Sequence, residues 1–375
     1  MKIAILGVFP PYRGGIAHFN TLLFQSLGKR HDVSAINFSR QYPDLLFPGK
    51  TQMIENESEM PEFANRMIDS VNPVSWLKTS REVNRLSPDL LIYKYWMPFF
   101  APSLGTIARR AKRNGKTQTL CIIDNLTPHE RHPGDLVLNR YLVNATDHFI
   151  AMSKTVEADL LSQKTEASYR LIPHPVYSNF GAPIPKEEAK KRLGISEKNV
   201  ILYFGYIRKY KGIQYLIQAV PKFTNHIDAL TIIAGEFYED KAPYLQQIEK
   251  TGQSVKIRLI DQFIPDEQVN LYFSAADLVV LPYIHATQSG IMQIALSYEL
   301  PCLVTRVGGL PEMVEDGQTG FIVPPEDPDA ISEGIIRYFT NADREMVQSN
   351  IREKKSLYSW EHFTEQIEEM VAEKK

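Results

Sequence analysis

The segment VILYFGYIRKYKGIQYLIQA (residues 200–219) indicates the fold class most clearly, because it passes from an apolar strand through a glycine-bearing loop into a helix. The continuous apolar run Val200–Phe204 is typical of a strand that is buried on both faces of a parallel sheet. Gly205 and Gly212 let the backbone turn tightly and approach a ligand. The helix predicted over Ile213–Ala219 directs unpaired N–H groups toward the loop. The segment therefore predicts a βα unit whose loop binds an anion.

The charges of Arg208 and Lys211 in this loop suggest that the anion is a diphosphate. Arg208 and Lys211 place positive charge where the strand ends and the helix begins. The dipole of the helix adds to the attraction for negative charge. A basic turn that only contacts solvent is the alternative, and the segment alone leaves both open.

Apolar strands alternate with helical segments on both sides of this loop. In the N-terminal half the predicted strands are residues 2–9, 32–37, 89–95, 116–123, 148–152 and 169–172. In the C-terminal half they are residues 200–204, 230–234, 257–260, 278–281 and 302–305. This alternation predicts an α/β protein with two doubly wound parallel sheets.

A proline-rich stretch, residues 173–185, separates the two arrays. We therefore predict an N-terminal Rossmann-like domain over residues 1–175 and a C-terminal one over residues 180–354. Two such domains facing each other enclose a cleft, and ligands bind there at the carboxyl ends of the strands. The amphipathic segment at about 355–375 is predicted to pack back on the N-terminal domain, although its pattern also suits the other half.

Composition excludes several classes of protein. The 375 residues carry 42 basic and 44 acidic side chains, a net charge of −2 and a mean hydropathy of −0.25, which argues against general nucleic-acid binding. Cys121 and Cys302 are too few for a disulfide framework or a four-ligand zinc site. No apolar run approaches the roughly 20 residues that cross a bilayer, and the apolar run Met1–Phe9 is too short for a signal peptide. We therefore expect a cytoplasmic protein.

Two further loops have the composition of ligand-binding turns. The segment from His285 to Ile291 brings small and hydroxyl residues to the start of a helix, which suits a phosphate or a plain helix cap. Gly14 and Gly15 open the first helix, which indicates either close approach to a ligand or a tight turn. Neither loop has the GxGxxG spacing, which counts against a nicotinamide-dinucleotide domain.

Polar residues also follow the strand that ends at Ile123. Asp124 and His129 lie at the carboxyl edge of the predicted sheet, where side chains line a cleft, although a histidine there is equally an ordinary loop residue. The histidine and glutamate nearby lack the HExxH spacing of a metalloprotease. The sequence predicts no metal site.

Motifs in a fixed order run along nearly the whole chain. They are Gly14-Gly15, Ile150–Ser153, Ile172–Pro175, Gly205–Gly212, Gly235, Ala275–Asp277, Leu281-Pro282, Val307–Glu312, Asp316–Pro324 and Ser359–Glu361. Their order resembles that of the retaining, nucleotide-sugar-dependent glycosyltransferases of family 4, which have the two-domain GT-B architecture. The resemblance is most specific from Val200 to Pro325, where GGLPE (308–312) precedes DGQTGFIVP (316–324).

The resemblance implies a metal-independent hexosyltransferase that retains configuration at the anomeric carbon. Arg208 and Lys211 would hold the diphosphate of the donor, a UDP- or GDP-linked sugar, and stabilise its charge as the glycosidic bond breaks. The leaving diphosphate itself would deprotonate the acceptor, so that no cofactor is needed. Backbone near Phe263 and Ile264 would contact the nucleobase. The donor-binding residues implied are Gly14, Gly15, Gly205, Phe263, Ile264, Thr287, Gln288, Ser289, Gly290 and Ile291.

This sequence departs from the family pattern at two places. The Glu-x7-Glu pair of many members would fall at Ala286 and Ile294, so both carboxylates are missing. Gln288 and Gln293 are candidate neutral replacements, although Gln293 equally suits a helix surface. Many members also have a histidine where this chain has Asp124, and His129 is the candidate for the missing function.

The predicted acceptor is a glycan or a lipid-linked glycan, as in the synthesis of cell-surface polysaccharide or glycolipid. Four cations in the N-terminal half would support peripheral contact with an anionic membrane, at about 1 kcal/mol per basic residue near the surface. They are Arg109, Arg110, Lys112 and Arg113. A solvated helix face explains the same residues equally well.

Three other functions stay open. The missing carboxylate pair suits a non-catalytic protein that binds a sugar nucleotide or glycan at a degenerate GT-B site. A nucleotide-dependent oxidoreductase or epimerase is disfavoured by the absent dinucleotide fingerprint. A phosphorylase-like enzyme on the same architecture would bind pyridoxal phosphate.

Overall fold

The computed structural model describes residues 1–43, 52–53, 64–127 and 132–373. The chain forms two compact units. The first unit comprises Met1–Pro175 together with Ser359–Lys375, and the second comprises Val176–Tyr358. The division therefore falls at Pro175, and the chain returns to the first unit at Ser359.

The first unit is built on a parallel sheet. Within the described residues its seven strands are β1 Lys2–Gly7, β2 Asp32–Arg40, β3 Asn65–Asp69, β4 Leu90–Tyr95, β5 Gln118–Ile123, β6 His148–Ala151 and β7 Ser168–Leu171. Their order is β3-β2-β1-β4-β5-β6-β7. The connecting helices are α1 Gly15–Gly28, α2 Pro73–Leu86, α3 Ala101–Ala111, α4 Asp135–Val143 and α5 Lys154–Gln163. Strand order reverses between β1 and β4, which makes the sheet doubly wound.

The second unit repeats this plan. Its six strands, all within the described range 132–373, are β8 Asn199–Phe204, β9 Ala229–Ala234, β10 Ile257–Ile260, β11 Leu278–Leu281, β12 Cys302–Thr305 and β13 Gly320–Val323. The order is β10-β9-β8-β11-β12-β13, so it reverses between β8 and β11. The helices are α6 Lys186–Arg192, α7 Ile213–Phe223, α8 Ala242–Lys250, α9 Asp266–Ala275, α10 Gly290–Ser297, α11 Pro328–Thr340 and α12 Arg344–Lys355. The predicted fold class, with two doubly wound parallel sheets, is confirmed.

Three elements differ from the sequence prediction. Strand β13 was not predicted, because its four residues Gly320–Val323 lie inside the DGQTGFIVP motif and were interpreted as part of that motif. Strand β3 was not predicted, because its sequence NRMID has no continuous apolar run and lies at the edge of the sheet. Helix α7 was predicted to end at Ala219 but continues to Phe223 with Pro221 inside it. Burial of Val220 and Phe223 favours the longer helix, although a proline at this position removes one backbone hydrogen bond.

The last helix, α13 Trp360–Ala372, packs on α1 of the first unit. The ring of Phe19 meets those of Trp360 and Phe363 edge-on, with centroids 5.0 and 5.7 Å apart. At the exposed margin Lys29 pairs with Glu361 at 2.7 Å. An amphipathic pattern alone could not select this partner, because any apolar surface of matching shape satisfies it.

Asp277, the last residue of the motif Ala275–Asp277, joins several elements of the second unit. The carboxylate of Asp277 accepts the backbone N–H of Val200 at 2.8 Å and pairs with Arg344 at 2.5 Å and with Lys186. It is nearly inaccessible to solvent. A buried carboxylate needs such partners, so Asp277 fixes the start of β11 against β8.

Candidate functional site

The candidate site lies where the strand order of the second unit reverses, at the carboxyl ends of β8 and β11. Open α/β sheets bind ligands at such a point. Two loops leave these strands, which we call the basic loop (residues 205–212) and the hydroxyl loop (residues 282–289). The two loops contact each other through a hydrogen bond that Ile284 N–H donates to Tyr210 O at 2.7 Å. A Cβ atom on Gly212, whose φ is +67°, would lie 1.9 Å from Pro282 O. The close approach of the two loops therefore requires a glycine at 212.

Gly205 brings three of the predicted donor-binding residues together. Its φ is +108°, a conformation that favours glycine. A Cβ atom there would lie 3.3 Å from Ile291 Cδ1 and 3.9 Å from Lys211 Nζ. The backbone of Gly205, the ammonium of Lys211 and the first turn of α10 therefore border one small space.

Lys211 is held by a tyrosine that the sequence analysis did not name. Its Nζ donates to Tyr283 Oη at 3.0 Å, and Tyr283 Oη is 3.3 Å from Ser289 Oγ. Burial alone would lower the pKa of Lys211, but Tyr283 and Tyr210 outweigh burial and raise the pKa above its ordinary value. Lys211 therefore carries its full charge at neutral pH.

Arg208 stands at the start of the basic loop in extended backbone. Its guanidinium lies 5.2 Å from the ring centroid of Tyr238, and that ring packs against Tyr206 at 4.4 Å. Within the described part of the chain neither Arg208 nor Lys211 forms an ion pair with an acidic side chain. Both cations therefore keep their charge available for an anionic ligand.

The hydroxyl loop ends at the N-terminus of α10. Ser289 occupies the N-cap position, but its side chain makes no capping hydrogen bond and contacts Tyr283 instead. The plain helix cap that the sequence left open is therefore not formed by Ser289. The loop is held by Gly309 N–H, which donates to Thr287 O at 2.9 Å, and a Cβ atom on Gly308 would lie 1.6 Å from Ala286 O.

The remaining predicted residues of the second unit lie after β10, in the hydroxyl loop and in α10. Phe263 and Ile264 follow β10, and Gly235 N–H donates to Ile260 O at 2.9 Å, which joins the ends of β9 and β10. Gln293 is fully buried, and its Nε2 lies 3.0 Å from Met313 Sδ. The expectation that Gln293 might equally lie on a helix surface was wrong, because this side of α10 faces the interior. Gln288 is half-buried in the hydroxyl loop.

The first unit brings together a different set of residues. Gly14, with φ +109°, precedes α1 at the switch between β1 and β4, and Gly15 begins that helix. Asp124 follows β5 and pairs at 2.6 Å with Lys94, whose side chain is only 2% exposed. His129 lies outside the described residues.

Lys94 is a buried cation that the sequence analysis missed. Its Nζ lies 3.4 Å from the ring centroid of Phe19. Burial lowers the pKa of Lys94, and the carboxylate of Asp124 opposes that shift. A charged residue inside the otherwise apolar strand β4 was the available signal. Asp124 therefore balances an internal charge as well as lying at the edge of the sheet.

The motif residue His174 belongs to the core. It is nearly inaccessible to solvent, its Nδ1 lies 2.7 Å from Pro175 O, and its ring meets Phe19 edge-on at 5.1 Å. Burial and the nearby ammonium of Lys94 lower the pKa of His174 to about 3. The imidazole is therefore neutral at physiological pH.

The four basic residues assigned to the acceptor or membrane side divide into two kinds. Arg109 stacks on the ring of Tyr141, 3.7 Å from its centroid, and donates to Tyr141 O at 2.5 Å. Lys112 pairs with Asp147 at 2.5 Å. Arg110 is half-buried and Arg113 is exposed. Two of the four cations are therefore occupied by contacts within the first unit.

Two other features, a metal-binding cluster and a membrane-spanning helix, are absent from the described ranges. No three His, Cys, Asp or Glu side chains there lie close enough to hold a metal ion. No helix among the same residues is both long and apolar enough to cross a membrane.

Residues 185–355 match the family model described as glycosyl transferases group 1. An uncharacterised glycosyltransferase of Methanocaldococcus jannaschii is 28% identical over 47% of this chain and 46% of its own length. A D-inositol 3-phosphate glycosyltransferase of Corynebacterium urealyticum is 26% identical over 49% of this chain and 45% of its own. The chain thus spans about half the length of these curated relatives.

A longer match reaches a GDP-mannose-dependent alpha-(1-6)-phosphatidylinositol monomannoside mannosyltransferase of Mycolicibacterium smegmatis, which is 23% identical over 87% of this chain and 86% of its own. Among solved structures, HepE of Anabaena in complex with UDP aligns over 100% of both chains with a TM-score of 0.77 and 18% identity. Sucrose-phosphate synthase of Thermosynechococcus elongatus aligns over 100% of this chain and 98% of its own, with a TM-score of 0.75 and 19% identity. These structures share the GT-B fold with this chain.

Proposed function

Starting from the match of residues 185–355 to group 1 glycosyl transferases, we propose that this chain transfers a sugar from a nucleoside diphosphate sugar to a glycan or lipid-linked acceptor, with retention at the anomeric carbon. The observation that carries the proposal is the convergence of Lys211, Gly205 and the first turn of α10 on one space at the strand switch. Arg208 and Lys211, which form no ion pair with an acidic side chain of the described residues, and a helix N-terminus suit a diphosphate in chemistry and in charge.

The proposed reaction uses charge stabilisation rather than a metal or another cofactor. The bond between the anomeric carbon and the diphosphate oxygen breaks, and Lys211 and Arg208 stabilise the negative charge that develops on that oxygen. The acceptor hydroxyl forms the new bond on the same face of the sugar and passes its proton to the departing phosphate oxygen. On the family resemblance, Gly14 and Gly15 are assigned to donor binding and Asp124 to catalysis.

The donor test is a thermal-shift panel of UDP, GDP, UMP and GMP. A nucleotide at 100 times its dissociation constant adds about 2.7 kcal/mol of apparent stability. We expect one diphosphate to raise the melting temperature, and Lys211→Met to abolish that rise. Lys250→Met, an exposed lysine of the same unit, is the control and should leave it unchanged. If no diphosphate shifts the wild-type protein, the proposed donor site is wrong.

The non-catalytic alternative is separated by turnover. The matching nucleotide sugar is incubated with the wild-type protein, and release of free nucleoside diphosphate is followed with and without candidate acceptors. Slow hydrolysis or transfer supports the enzyme. Tight binding without release on any sugar supports a degenerate binding protein, for which the missing carboxylates at Ala286 and Ile294 would account.

The proposed location is peripheral, at the inner face of an anionic membrane, in polysaccharide or glycolipid synthesis. Support comes from the similarity to a phosphatidylinositol monomannoside mannosyltransferase and from the surface of the first unit. Helix α4, which packs on α3, exposes Leu136 by 50% and Val137 by 70%. Exposed apolar side chains on the helix that packs on α3, which carries Arg110, suit an interfacial surface.

Sedimentation with vesicles of anionic and of neutral lipid tests this location. We expect the double variant Arg110→Gln with Arg113→Gln to sediment less with anionic vesicles and equally with neutral ones. The control is Lys191→Gln with Lys250→Gln, the same charge change at exposed residues of the second unit. Equal loss in both double variants would show a dependence on net charge only.

A further inference from the structure

The hydroxyl of Tyr283 lies between two of the proposed phosphate-binding groups. Lys211 Nζ is 3.0 Å from Tyr283 Oη on one side, and Ser289 Oγ is 3.3 Å away on the other. The tyrosine is only 2% exposed, so water does not provide alternative partners. These three side chains form a continuous chain of hydrogen bonds from the basic loop to the hydroxyl loop.

The direction of these hydrogen bonds follows from the chemistry of the groups. A lysine ammonium has donors only, so Tyr283 Oη accepts from Lys211. The buried phenol then has its own hydrogen left, and Ser289 Oγ is the acceptor that the described residues provide. With Ser289 Oγ accepting, its own hydrogen is directed away from the tyrosine and is available to an anion at the N-terminus of α10.

We propose that Tyr283 is a positioning residue for the donor diphosphate: its hydroxyl fixes the Lys211 ammonium and orients the Ser289 hydroxyl so that both donate to phosphate oxygens. This inference rests on the proposed function of the site. In this role the tyrosine acts on the donor through its two neighbours. It sets how strongly the site distinguishes a nucleoside diphosphate from the nucleoside.

The hydroxyl of Tyr283 can be removed without removing the contacts that hold the ring and the backbone of the loop. Thr305 Oγ1 donates to the backbone oxygen of Tyr283 at 2.6 Å, and this bond does not depend on the side chain. The Tyr283 ring also stays 4.7 Å from Lys211 Nζ without any contribution from Oη. Tyr283→Phe therefore removes the two hydroxyl contacts and keeps the ring and the backbone bond.

The test compares the dissociation constants of UDP and uridine, or of GDP and guanosine, whichever pair the wild-type protein binds. We expect Tyr283→Phe to weaken the diphosphate about tenfold, as for a lost hydrogen bond to a charged group, and to leave the nucleoside unchanged. Tyr298→Phe is the matched control. It removes a buried hydroxyl of the same unit that donates to Phe180 O and Gly181 O, and it should change neither constant.

A second comparison tests the path through Ser289. In a Ser289→Ala background the Tyr283→Phe change should weaken the diphosphate by less than in the wild-type background, because part of its effect has already been removed. Additive effects would overturn the role of Ser289 as the recipient of the tyrosine hydrogen.

Each outcome separates this inference from the function on which it rests. If the wild-type protein binds no nucleoside diphosphate, the proposed function fails. If it binds and Tyr283→Phe binds equally well, only the role of Tyr283 fails. If Tyr283→Phe weakens nucleoside and diphosphate alike, or lowers the melting temperature more than Tyr298→Phe does, the tyrosine is structural and the inference is overturned.

Discussion

Replacing Asp124 by asparagine should leave the ammonium of Lys94 buried without its counter-charge. The two groups are 2.6 Å apart and 2% of the Lys94 side chain is exposed, so water cannot replace the lost carboxylate. A broken buried pair costs about 3 to 5 kcal/mol. The ring of Phe19, 3.4 Å from the ammonium, retains part of the attraction. We therefore expect the free energy of unfolding of the first unit to fall by about 3 kcal/mol.

Urea unfolding followed by tryptophan fluorescence measures this loss. The three tryptophans, Trp76, Trp96 and Trp360, all belong to the first unit, so the signal reports that unit by itself. The double variant Lys94→Met with Asp124→Asn removes both charges and should recover most of the stability. Glu361→Gln breaks the exposed pair with Lys29 and should cost less than about 1 kcal/mol.

Two results would refute this account of Lys94. Equal midpoints and slopes for Asp124→Asn and the wild-type protein would mean that the ammonium needs no counter-charge. A double variant as unstable as Asp124→Asn would mean that Asp124 stabilises the unit through contacts other than its pair with Lys94.

Three further predictions concern other parts of the chain. Gly308→Ala should displace the hydroxyl loop and weaken nucleoside diphosphate binding more than tenfold in a calorimetric titration, a loss of about 1.4 kcal/mol or more. Gly252→Ala is the control, because a Cβ atom there meets nothing within 4 Å, and it should leave the affinity unchanged. The pKa of His174 is about 3 in the folded protein and about 6.5 in the unfolded chain. Between these two pH values the unfolded state therefore binds more protons than the folded state. Unfolding free energy should therefore rise by about 2 kcal/mol from pH 5 to pH 8, and His174→Gln should remove that part of the slope in urea titrations. Trp360→Ala should cost about 3 kcal/mol of first-unit stability by the fluorescence of the remaining tryptophans, and an unchanged midpoint would contradict the packing on Phe19.

The sheets and the basic loop could be predicted from sequence because their signals are local. The run Val200–Phe204 is apolar at every position, and parallel strands covered on both faces require this. The next eight residues, the basic loop, then contain Gly205, Arg208, Lys211 and Gly212. The strand switch beside this loop could not be predicted in the same way, because it lies between β8 and β11, which are not consecutive in the chain.

The residues that were missed depend on contacts distant in sequence. Tyr283 follows the apolar strand β11 and resembles an ordinary core tyrosine, until Lys211 from another βα unit is brought to 3.0 Å from its hydroxyl. Lys94 was overlooked for a related reason, since its partner Asp124 follows a neighbouring strand. Strand β3 lacks an apolar run because an edge strand is covered less completely. The contacts of Tyr283, the ion pair of Lys94 and the composition of β3 all depend on which strands are neighbours in the sheet, and a local sequence pattern does not show this.

The return of α13 to the first unit has a consequence for folding during synthesis. The second unit is one continuous stretch, Val176–Tyr358, and can complete its sheet as soon as that stretch has left the ribosome. The first unit is translated earlier but has to wait, because Phe19 acquires Trp360 and Phe363 only when α13 emerges. The first unit therefore completes its packing after the second unit, and until α13 emerges the face of α1 that carries Phe19 lacks its partner helix.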